Sequence, residues 1–238
     1  MRINRFFGNF DFGTQEIKIS NKEICRQIKN VLRLGPGQGI VLCNGDLKEA
    51  VVEIVDISKT GVLGKIIELR ENHCEPKTKI VLYASILKGE RFDFLVEKAT
   101  EVGVSEIVPI ICKRTIKTGI KKARLEKIIK EAAEQSGRGI LPILSQKMEF
   151  EKAIREAPGN NLNLFFEPEG EKPVKLDFLN NAQKIGVWIG PEGGWSEEEI
   201  EKAKKASFKI LSVSKLIFRA ETAAIIASYL ALLYENQR

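Results

Sequence analysis

The chain is organised around the sequence Ile185-Gly186-Val187-Trp188-Ile189-Gly190-Pro191-Glu192-Gly193-Gly194-Trp195-Ser196. Residues 185–189 are apolar except for one glycine, which predicts a buried strand. Ser196 and Glu199 have the spacing of a capping box, which predicts that a helix begins directly after the loop. The glycines between strand and helix have no Cβ, so main-chain N–H groups can lie close to a ligand there. In α/β proteins, a loop of this form is typical of a site for a small polar ligand.

The composition is that of an ordinary soluble protein. Of 238 residues, 43% are hydrophobic and 29% are charged, and the length suits one large domain or two modest ones. Lys and Arg together number 38 and Asp and Glu 32, which gives a formal net charge of +6. This excess is compatible with a polyanionic partner and equally with a solvated basic surface.

Cysteine spacing and hydropathy indicate a cytoplasmic location. The four cysteines are widely separated and never have a C-x-x-C spacing, which predicts reduced side chains. No stretch reaches the ~18 apolar residues of a membrane span, so no membrane partner is expected. His73 is the only histidine, and it stands in a polar, Pro-containing stretch that is typical of an exposed loop. This argues against most Ser-His-Asp, Cys-His and multi-histidine metal sites. We therefore expect no metal, and chemistry performed by an organic cofactor or by carboxylate, lysine or arginine groups.

Two domains are predicted from a change of pattern along the chain. Residues 1–72 are short apolar strands and turns with one helix, which is typical of a small β-rich domain. In residues 78–238, strands alternate with helices, which predicts a mostly parallel sheet covered on both faces. The helix of the first domain has a single predicted apolar stripe, formed by Ile24, Ile28, Val31 and Leu32.

Unusual sequences follow three strands of the second predicted domain, at residues 165–170, 190–196 and 211–222. The carboxyl ends of parallel strands share one edge of a sheet, so these loops are expected to meet in one crevice. Each loop taken alone is equally compatible with an ordinary turn between a strand and a helix.

The crevice has neither of the common phosphate-binding sequences. The chain contains no G-x-x-x-x-G-K-[ST], and its glycine loop does not have the G-x-G-x-x-G spacing. Pro191 fixes its own φ, and Glu192 adds a negative charge that disfavours a phosphate. An adenine or ribose held by main-chain groups fits this loop better.

Several motifs, in a fixed order along the chain, carry a resemblance to a known family. They are Val31-Leu32-Arg33, Lys88-Gly89-Glu90-Arg91, Glu97–Val104, Glu131–Arg138, Leu141-Pro142, Ile189–Ser196 and Leu211–Ala223. Together they closely resemble the bacterial RNA-uridine N3-methyltransferases of the RsmE type, which belong to the SPOUT superfamily.

The resemblance implies both the fold and the reaction. The implied fold is a small PUA-like β-barrel domain that binds RNA, followed by a SPOUT-type α/β domain with a parallel sheet and a C-terminal trefoil knot. The implied reaction is methylation of N3 of a uridine in 16S ribosomal RNA, near the decoding region, with S-adenosylmethionine as donor. The implied assembly is a homodimer, and the implied partner is the RNA of the small ribosomal subunit.

The resemblance also places the methyl donor among the knot loops. The residues expected to bind it are Phe166, Glu167, Ile189, Gly190, Pro191, Glu192, Gly193, Gly194, Leu211, Ser212, Val213, Ser214, Ile217, Thr222 and Ala223. The chain departs from the family where Val213-Ser214 stands in place of Leu-Gly and Ala220 in place of Thr. A Cβ at Ser214 is expected to crowd a close main-chain approach.

Arg219 and Glu221 are the predicted catalytic residues. N3 of uracil carries a weakly acidic proton, so its methylation requires removal of that proton or stabilisation of the resulting anion. Arg219 is expected to stabilise negative charge on the uracil carbonyl oxygens, and Glu221 to orient Arg219 or to accept the proton. A structural ion pair between the two side chains is the alternative.

Basic residues on both domains are the predicted phosphate contacts. They are Arg2, Arg5, Arg26, Arg33, Lys88, Arg91, Lys98, Arg114 and Arg138. For such residues a solvated surface is the alternative. Phe6 and Phe7 are interpreted as core residues of the first strand, with base stacking as the alternative.

Two other functions are compatible with the same motifs. One is a catalytically silent RNA-binding or ribosome-assembly protein, for which the departures at Ser214 and Ala220 are the only support. The other is a methyltransferase that acts at a different RNA position.

Overall fold

The computed structural model describes residues 3–171 and 182–233, which form two compact units. The first unit comprises residues 3–75 and 133–141, and the second comprises the remaining described residues. Residues 133–141 therefore belong to the first unit, although the sequence pattern places them in the second domain.

Five strands form the sheet of the first unit: β1 (Asn4–Phe7), β2 (Glu16–Ile19), β3 (Gly39–Cys43), β4 (Lys48–Ile57) and β5 (Val62–Glu71). Their order is β1-β3-β4-β5-β2, in which β1 and β3 are parallel and the other neighbours are antiparallel. The sheet is a curled half-barrel around an apolar core that includes Leu42, Val52 and Ile54. Phe6 and Phe7 are buried in β1, which confirms their interpretation as core residues.

The predicted apolar stripe of the first helix is wrong in its second half. The helix α1 (Lys22–Arg26) begins at the side-chain cap of Asn21 and continues directly into a π-helical turn, Gln27–Val31. The wider turn, in which Leu32 N donates to Gln27 O at 2.8 Å, shifts the residues that follow away from the buried face of the helix. As a result Ile24 and Ile28 are buried, whereas Val31 is 64% exposed and Leu32 is 38% exposed.

Seven strands form the sheet of the second unit: β6 (Lys79–Ser85), β7 (Glu106–Ile111), β8 (Ile143–Leu144), β9 (Met148–Glu149), β10 (Leu162–Glu171), β11 (Lys184–Ile189) and β12 (Lys209–Leu211). The order is β12-β10-β11-β6-β7-β8, with β9 also paired to β7, and every pairing is parallel. The predicted parallel sheet is therefore confirmed.

The longer helices are α2 (Arg91–Val102), α3 (Lys122–Ser136), α4 (Phe150–Glu156), α5 (Glu197–Lys205) and α6 (Ala220–Leu233). In the part of the chain that the structure describes, none has the length and apolar character needed to cross a bilayer.

The sheet of the second unit is covered on both faces because successive strand residues alternate between two cores. Leu82 and Val187 contribute to one core, which includes residues of α2 and α6. Their neighbours Tyr83 and Trp188 contribute to the other, which includes residues of α4 and α5. The rings of Tyr83 and Trp188 stack with centroids 4.0 Å apart, so β6 and β11 are fixed to each other by their side chains as well as by their ladder.

The order of the last three strands creates a crossover. β11 lies between β10 and β6, whereas β12, the next strand in the chain, lies on the far side of β10. The chain therefore crosses β10 between β11 and β12, and α5, whose Ala203 shares a core with Phe165 and Trp188, makes this crossover on one face of the sheet. Ligands of open parallel sheets bind at such points, where the strand order reverses.

Candidate active site

A cavity of about 520 Å³ opens where the last three strands end. Its walls are residues 166–168 of β10, the loop after β11, the loop after β12, and Arg91 at the start of α2. The three segments predicted to meet in one crevice do meet there, and the volume is in the range of small-ligand sites. Residues 165–170, predicted as a loop, instead belong to β10, which continues to Glu171 after a register shift beyond Phe166. The predicted cofactor residues that line the cavity are Phe166, Glu167, Ile189, Gly190, Pro191, Glu192, Gly193, Gly194, Ser212, Val213, Ser214, Ile217 and Ala223. Leu211 and Thr222 are not among the lining residues.

The glycine loop, residues 190–196, is a tight turn that leads into α5. Gly194 N donates to Pro191 O at 2.9 Å, and Gly194 has a φ of 70°, which a residue with a Cβ rarely adopts. Ser196 caps α5, and the predicted capping box with Glu199 is confirmed in both of its hydrogen bonds. The turn thus holds the main chain at the cavity wall.

Trp195 joins the glycine loop to the middle of β10. Its indole Nε1 donates to Phe166 O at 2.9 Å, and its ring stacks on Phe165 with centroids 4.3 Å apart. The same ring lies against Gly190, where an added Cβ would lie 3.0 Å from the indole Cε2. Trp195 lines the cavity but was not among the residues predicted to bind the cofactor, although a large aromatic residue at the end of a glycine loop is a signal that the sequence offers.

The loop after β12 is held by serine side chains. Ser212 N donates to Glu171 O at 2.8 Å, and Ser212 Oγ donates to Ser214 O at 2.9 Å. Ser214 Oγ accepts from Leu216 N at 3.1 Å, so the serine at this position stabilises the turn that follows it. Beyond this turn, Leu216 and Ile217 are 73% and 85% exposed at the cavity rim.

Glu192 ties the glycine loop to the turn before α2. Its Oε1 accepts from Lys88 N at 2.9 Å and lies 3.8 Å from Arg91 Nη1. Arg91 was predicted as a phosphate contact, and the structure places it in the cavity wall beside Glu192. The cavity therefore has two arginines at its rim, Arg91 and Arg219.

Arg219 and Glu221 lie at the start of α6 in different environments. Arg219 is exposed at the cavity wall, and within residues 3–171 and 182–233 it forms no ion pair, with Glu221 or with any other residue. Glu221 is 7% exposed, does not line the cavity, and has a buried Oε2 without a hydrogen-bond partner among the described residues. Only the arginine of the predicted pair directly faces the cavity.

Some of the predicted phosphate contacts are exposed, whereas others form ion pairs or hydrogen bonds within the protein. Arg26, Arg33 and Lys88 are exposed. Arg5 forms an ion pair with buried Glu49, and Arg138, itself 5% exposed, lies 2.8 Å from Glu75.

Lys98 and Arg114 are also engaged with neighbouring groups. Lys98 pairs with Glu97 and Glu101, which raises its pKa. Arg114 donates to two main-chain oxygens of the glycine loop. Arg2 lies outside the described residues.

The described residues offer no site for a metal. They contain no group of three or more histidine, cysteine, aspartate or glutamate side chains placed to hold an ion, and His73 is exposed. The site is therefore one of main-chain groups, apolar walls and arginines.

Comparison with known sequences identifies two families along the chain. The family profile described as "RNA methyltransferase domain" matches residues 74–232, and the one described as "RNA methyltransferase PUA domain" matches residues 28–67. The chain is 30% identical to the ribosomal RNA small subunit methyltransferase E of Rickettsia conorii, over 95% of this chain and 94% of the relative. It is 32% identical to the ribosomal RNA small subunit methyltransferase E 2 of Borreliella burgdorferi, over 97% and 95%.

A solved structure has the same fold over almost the whole length. The ribosomal RNA small subunit methyltransferase E of Neisseria gonorrhoeae, bound to S-adenosyl methionine, is 29% identical and superposes with a TM-score of 0.87 over 98% of both chains.

Proposed function

This chain belongs to the RNA methyltransferase family that includes the ribosomal RNA small subunit methyltransferases E, and we propose that it methylates N3 of a uridine in 16S ribosomal RNA with S-adenosylmethionine as donor. The SPOUT-type parallel sheet with its trefoil knot follows from this membership and from the fold shared with the Neisseria gonorrhoeae enzyme. The single observation that supports the proposal most strongly is the cavity formed by the glycine loop and its two neighbouring loops, at the carboxyl edge of the sheet.

The residues of the cavity fit S-adenosylmethionine. The volume of about 520 Å³ suits a ligand of that size. Gly190 is packed so closely on Trp195 that the wall there must be bare main chain, which suits an adenosine recognised by backbone groups. Apolar side chains such as Phe166, Ile189 and Val213 complete the wall and suit an adenine ring. When bound, this cofactor supplies a methyl group that is already activated by a positively charged sulfur.

The protein's own contribution is to position the uracil and to stabilise its charge. Loss of the N3 proton leaves a uracil anion whose charge lies largely on the two carbonyl oxygens. Arg219 is exposed at the cavity wall and is not neutralised by a carboxylate in the described structure, so its guanidinium is available to those oxygens. We assign Arg219 this role.

Glu221 is assigned a supporting role. Its carboxylate is buried, has an oxygen without a partner among the described residues and does not line the cavity. As the acidic residue in the first turn of α6, it stabilises the N-terminus of the helix, which directly follows Arg219. Direct proton acceptance by Glu221 would require its side chain to reach the cavity.

For the RNA, we propose contacts with the exposed cations of each unit. Arg26 and Arg33 provide them in the first unit, and Lys88 and Arg91 in the second. Arg5 and Arg138 are excluded from this set because their side chains are largely buried against Glu49 and Glu75, whereas Arg91 stays exposed beside Glu192. Because the substrate is ribosomal RNA, we place the enzyme in the cytoplasm.

We also propose that the protein forms a homodimer, because of the composition and exposure of α6. From Thr222 to Leu233 this helix has no charged residue, and a helix that is apolar on all faces is normally buried. Nevertheless Tyr229 is 50% exposed on it. A second copy of the chain that packs on this helix would cover the exposed part. Sedimentation equilibrium should give twice the chain mass, and a Tyr229→Glu variant should sediment as a monomer.

Calorimetric titration with S-adenosylmethionine tests the proposed site. We expect saturable binding with one cofactor per chain. The absence of binding would instead favour the catalytically silent RNA-binding protein, which has no need of the cofactor.

A further inference from the structure

Three hydrogen bonds join the loop between β7 and α3, residues 112–121, to the glycine loop and to the first turn of α5 that follows it. Arg114 Nη1 donates to Gly193 O at 2.9 Å and to Trp195 O at 3.0 Å. Lys113 N donates to Glu199 Oε1 at 2.8 Å. The β7–α3 loop comes from a strand two places away from β11 in the sheet, so these contacts support the glycine loop from outside the cavity.

The position of Arg114 allows its guanidinium to bind the main chain of the glycine loop. A single guanidinium nitrogen bridges two carbonyl oxygens that lie two residues apart, on either side of Gly194. Its Cβ also lies 3.5 Å from the position that a Cβ on Gly193 would occupy. Arg114 is not among the residues that line the cavity, so its contact with the ligand site is made through the loop.

Glu199 provides the second attachment. Its Oε2 accepts from Ser196 N at 2.7 Å as part of the capping box, and its Oε1 accepts from Lys113 N. The side chain is 4% exposed, so both hydrogen bonds are shielded from water. The end of the glycine loop and the start of the β7–α3 loop are therefore held by one buried carboxylate.

The glycine loop needs contacts from other parts of the protein because few hydrogen bonds within the loop fix its conformation. Three of its seven residues are glycine, which lose more conformational freedom on folding than other residues. The turn at Pro191 and Gly194 contributes one main-chain hydrogen bond. A ligand that binds to main-chain groups of such a loop gains affinity when the loop is already fixed in the bound conformation.

We propose that Arg114 is a positioning residue for the cofactor site, which fixes the glycine loop for S-adenosylmethionine and does not serve as a phosphate contact. This inference rests on the proposed function, since it takes the cavity to be the cofactor site. Arg114 acts through the carbonyls of Gly193 and Trp195, and its loss loosens the loop around Gly194 without removing any group from the cavity wall.

Three single variants separate the two roles. Arg114→Ala removes the side chain, whereas Arg114→Lys keeps the charge but loses the planar, fixed donor group. Lys121→Ala removes an exposed cation of the same loop and is the matched control. A phosphate contact is largely retained by lysine, because it depends on charge. A bridge between two carbonyls is not retained, because it depends on the geometry of the guanidinium.

The experiment measures two affinities for each full-length variant: S-adenosylmethionine by calorimetric titration, and a 16S ribosomal RNA transcript by filter binding. For Arg114→Ala and Arg114→Lys we expect the Kd for the cofactor to rise about tenfold, the equivalent of one charged hydrogen bond, with unchanged RNA affinity. For Lys121→Ala we expect unchanged cofactor affinity.

Each contrary result has a distinct meaning. Normal cofactor affinity together with weakened RNA binding in Arg114→Ala would overturn the proposal in favour of a phosphate contact. A parallel loss of cofactor affinity, RNA affinity and thermal midpoint would overturn it too, because it would indicate general unfolding. If the unaltered protein does not bind S-adenosylmethionine, the proposed function itself fails, and the inference with it.

Discussion

The indole Nε1 of Trp195 donates a hydrogen bond of 2.9 Å to the main-chain oxygen of Phe166. This bond joins the glycine loop to the middle of β10, so two walls of the cavity are fixed to each other. Trp195 is 5% exposed and Phe166 is 8% exposed, so water does not readily replace the indole as donor. The shape of the cavity therefore depends on a residue whose polar atom is bonded within the protein.

Replacing Trp195 with Phe tests this dependence. The smaller ring keeps the stacking on Phe165 but leaves the buried oxygen of Phe166 without its donor. We expect a loss of about 1 to 3 kcal/mol in the free energy of unfolding, because an unpaired buried carbonyl is costly. Urea unfolding measures this loss, and calorimetry should show weaker binding of S-adenosylmethionine. Unchanged values of both quantities would contradict the structural role of the indole.

Two glycines of the cavity wall give a matched pair of alanine variants. A Cβ at Gly190 would lie 3.0 Å from the indole ring of Trp195, whereas a Cβ at Gly193 would lie 3.5 Å from Arg114, an ordinary contact. We expect Gly190→Ala to weaken cofactor binding about tenfold, which corresponds to about 1.4 kcal/mol and lies within the range of about 1 to 3 kcal/mol that overpacking costs. Gly193→Ala should bind the cofactor nearly normally. Equal affinities of the two variants would show that close packing on Trp195 is not required.

Glu49 makes the stability of the first unit dependent on pH. Burial by itself would raise the pKa of this carboxyl, but hydrogen bonds from Asn72, Arg5 and Arg70 outweigh burial and hold the pKa below its ordinary value. A lowered pKa in the folded state adds stability above the pKa of the unfolded state. That stability is lost as the pH falls through the folded-state pKa.

The corresponding variant is Glu49→Gln, studied by scanning calorimetry between neutral and acidic pH. We expect a loss of about 3 kcal/mol at neutral pH, because Arg5 keeps a buried charge without its partner, and a smaller fall in stability on acidification. Glu201→Gln is the control, since Glu201 is exposed and, among the described residues, forms its ion pair with Lys204 at the surface. An identical pH profile for Glu49→Gln and the unaltered protein would rule out this role of Glu49.

Features that depend on neighbouring residues could be predicted from the sequence. The capping box of Ser196 and Glu199 and the strand before the glycine loop were predicted correctly, because the residues that define them are adjacent in the chain. The parallel sheet followed from the alternation of strands and helices. The position of β12 beyond β10 did not, because no local pattern specifies which strand becomes its neighbour.

The partners of the charged residues could not be predicted for the same reason. Arg114 bonds to carbonyls some eighty positions away in the chain, and Arg138 pairs with a glutamate more than sixty positions away. Both resembled free cations in the sequence because their partners are brought to them only by folding. The π-helical turn at residues 27–31 reversed the burial of Val31 and Leu32, since an apolar stripe assumes a regular α-helix.

The proposed reaction is tested most directly by mapping the methylated nucleotides of 16S ribosomal RNA, by mass spectrometry of nuclease digests. The RNA is taken from a strain that lacks the gene and from the same strain supplied with the unaltered protein, with Arg219→Ala or with Lys215→Ala, a neighbouring exposed cation that does not line the cavity. We predict that one N3-methyluridine is lost from the deletion strain and is restored by the unaltered protein and by Lys215→Ala. Arg219→Ala should fail to restore it although the purified variant still binds S-adenosylmethionine. An unchanged N3-methyluridine in the deletion strain would contradict the proposed reaction, and full restoration by Arg219→Ala would contradict the assignment of Arg219.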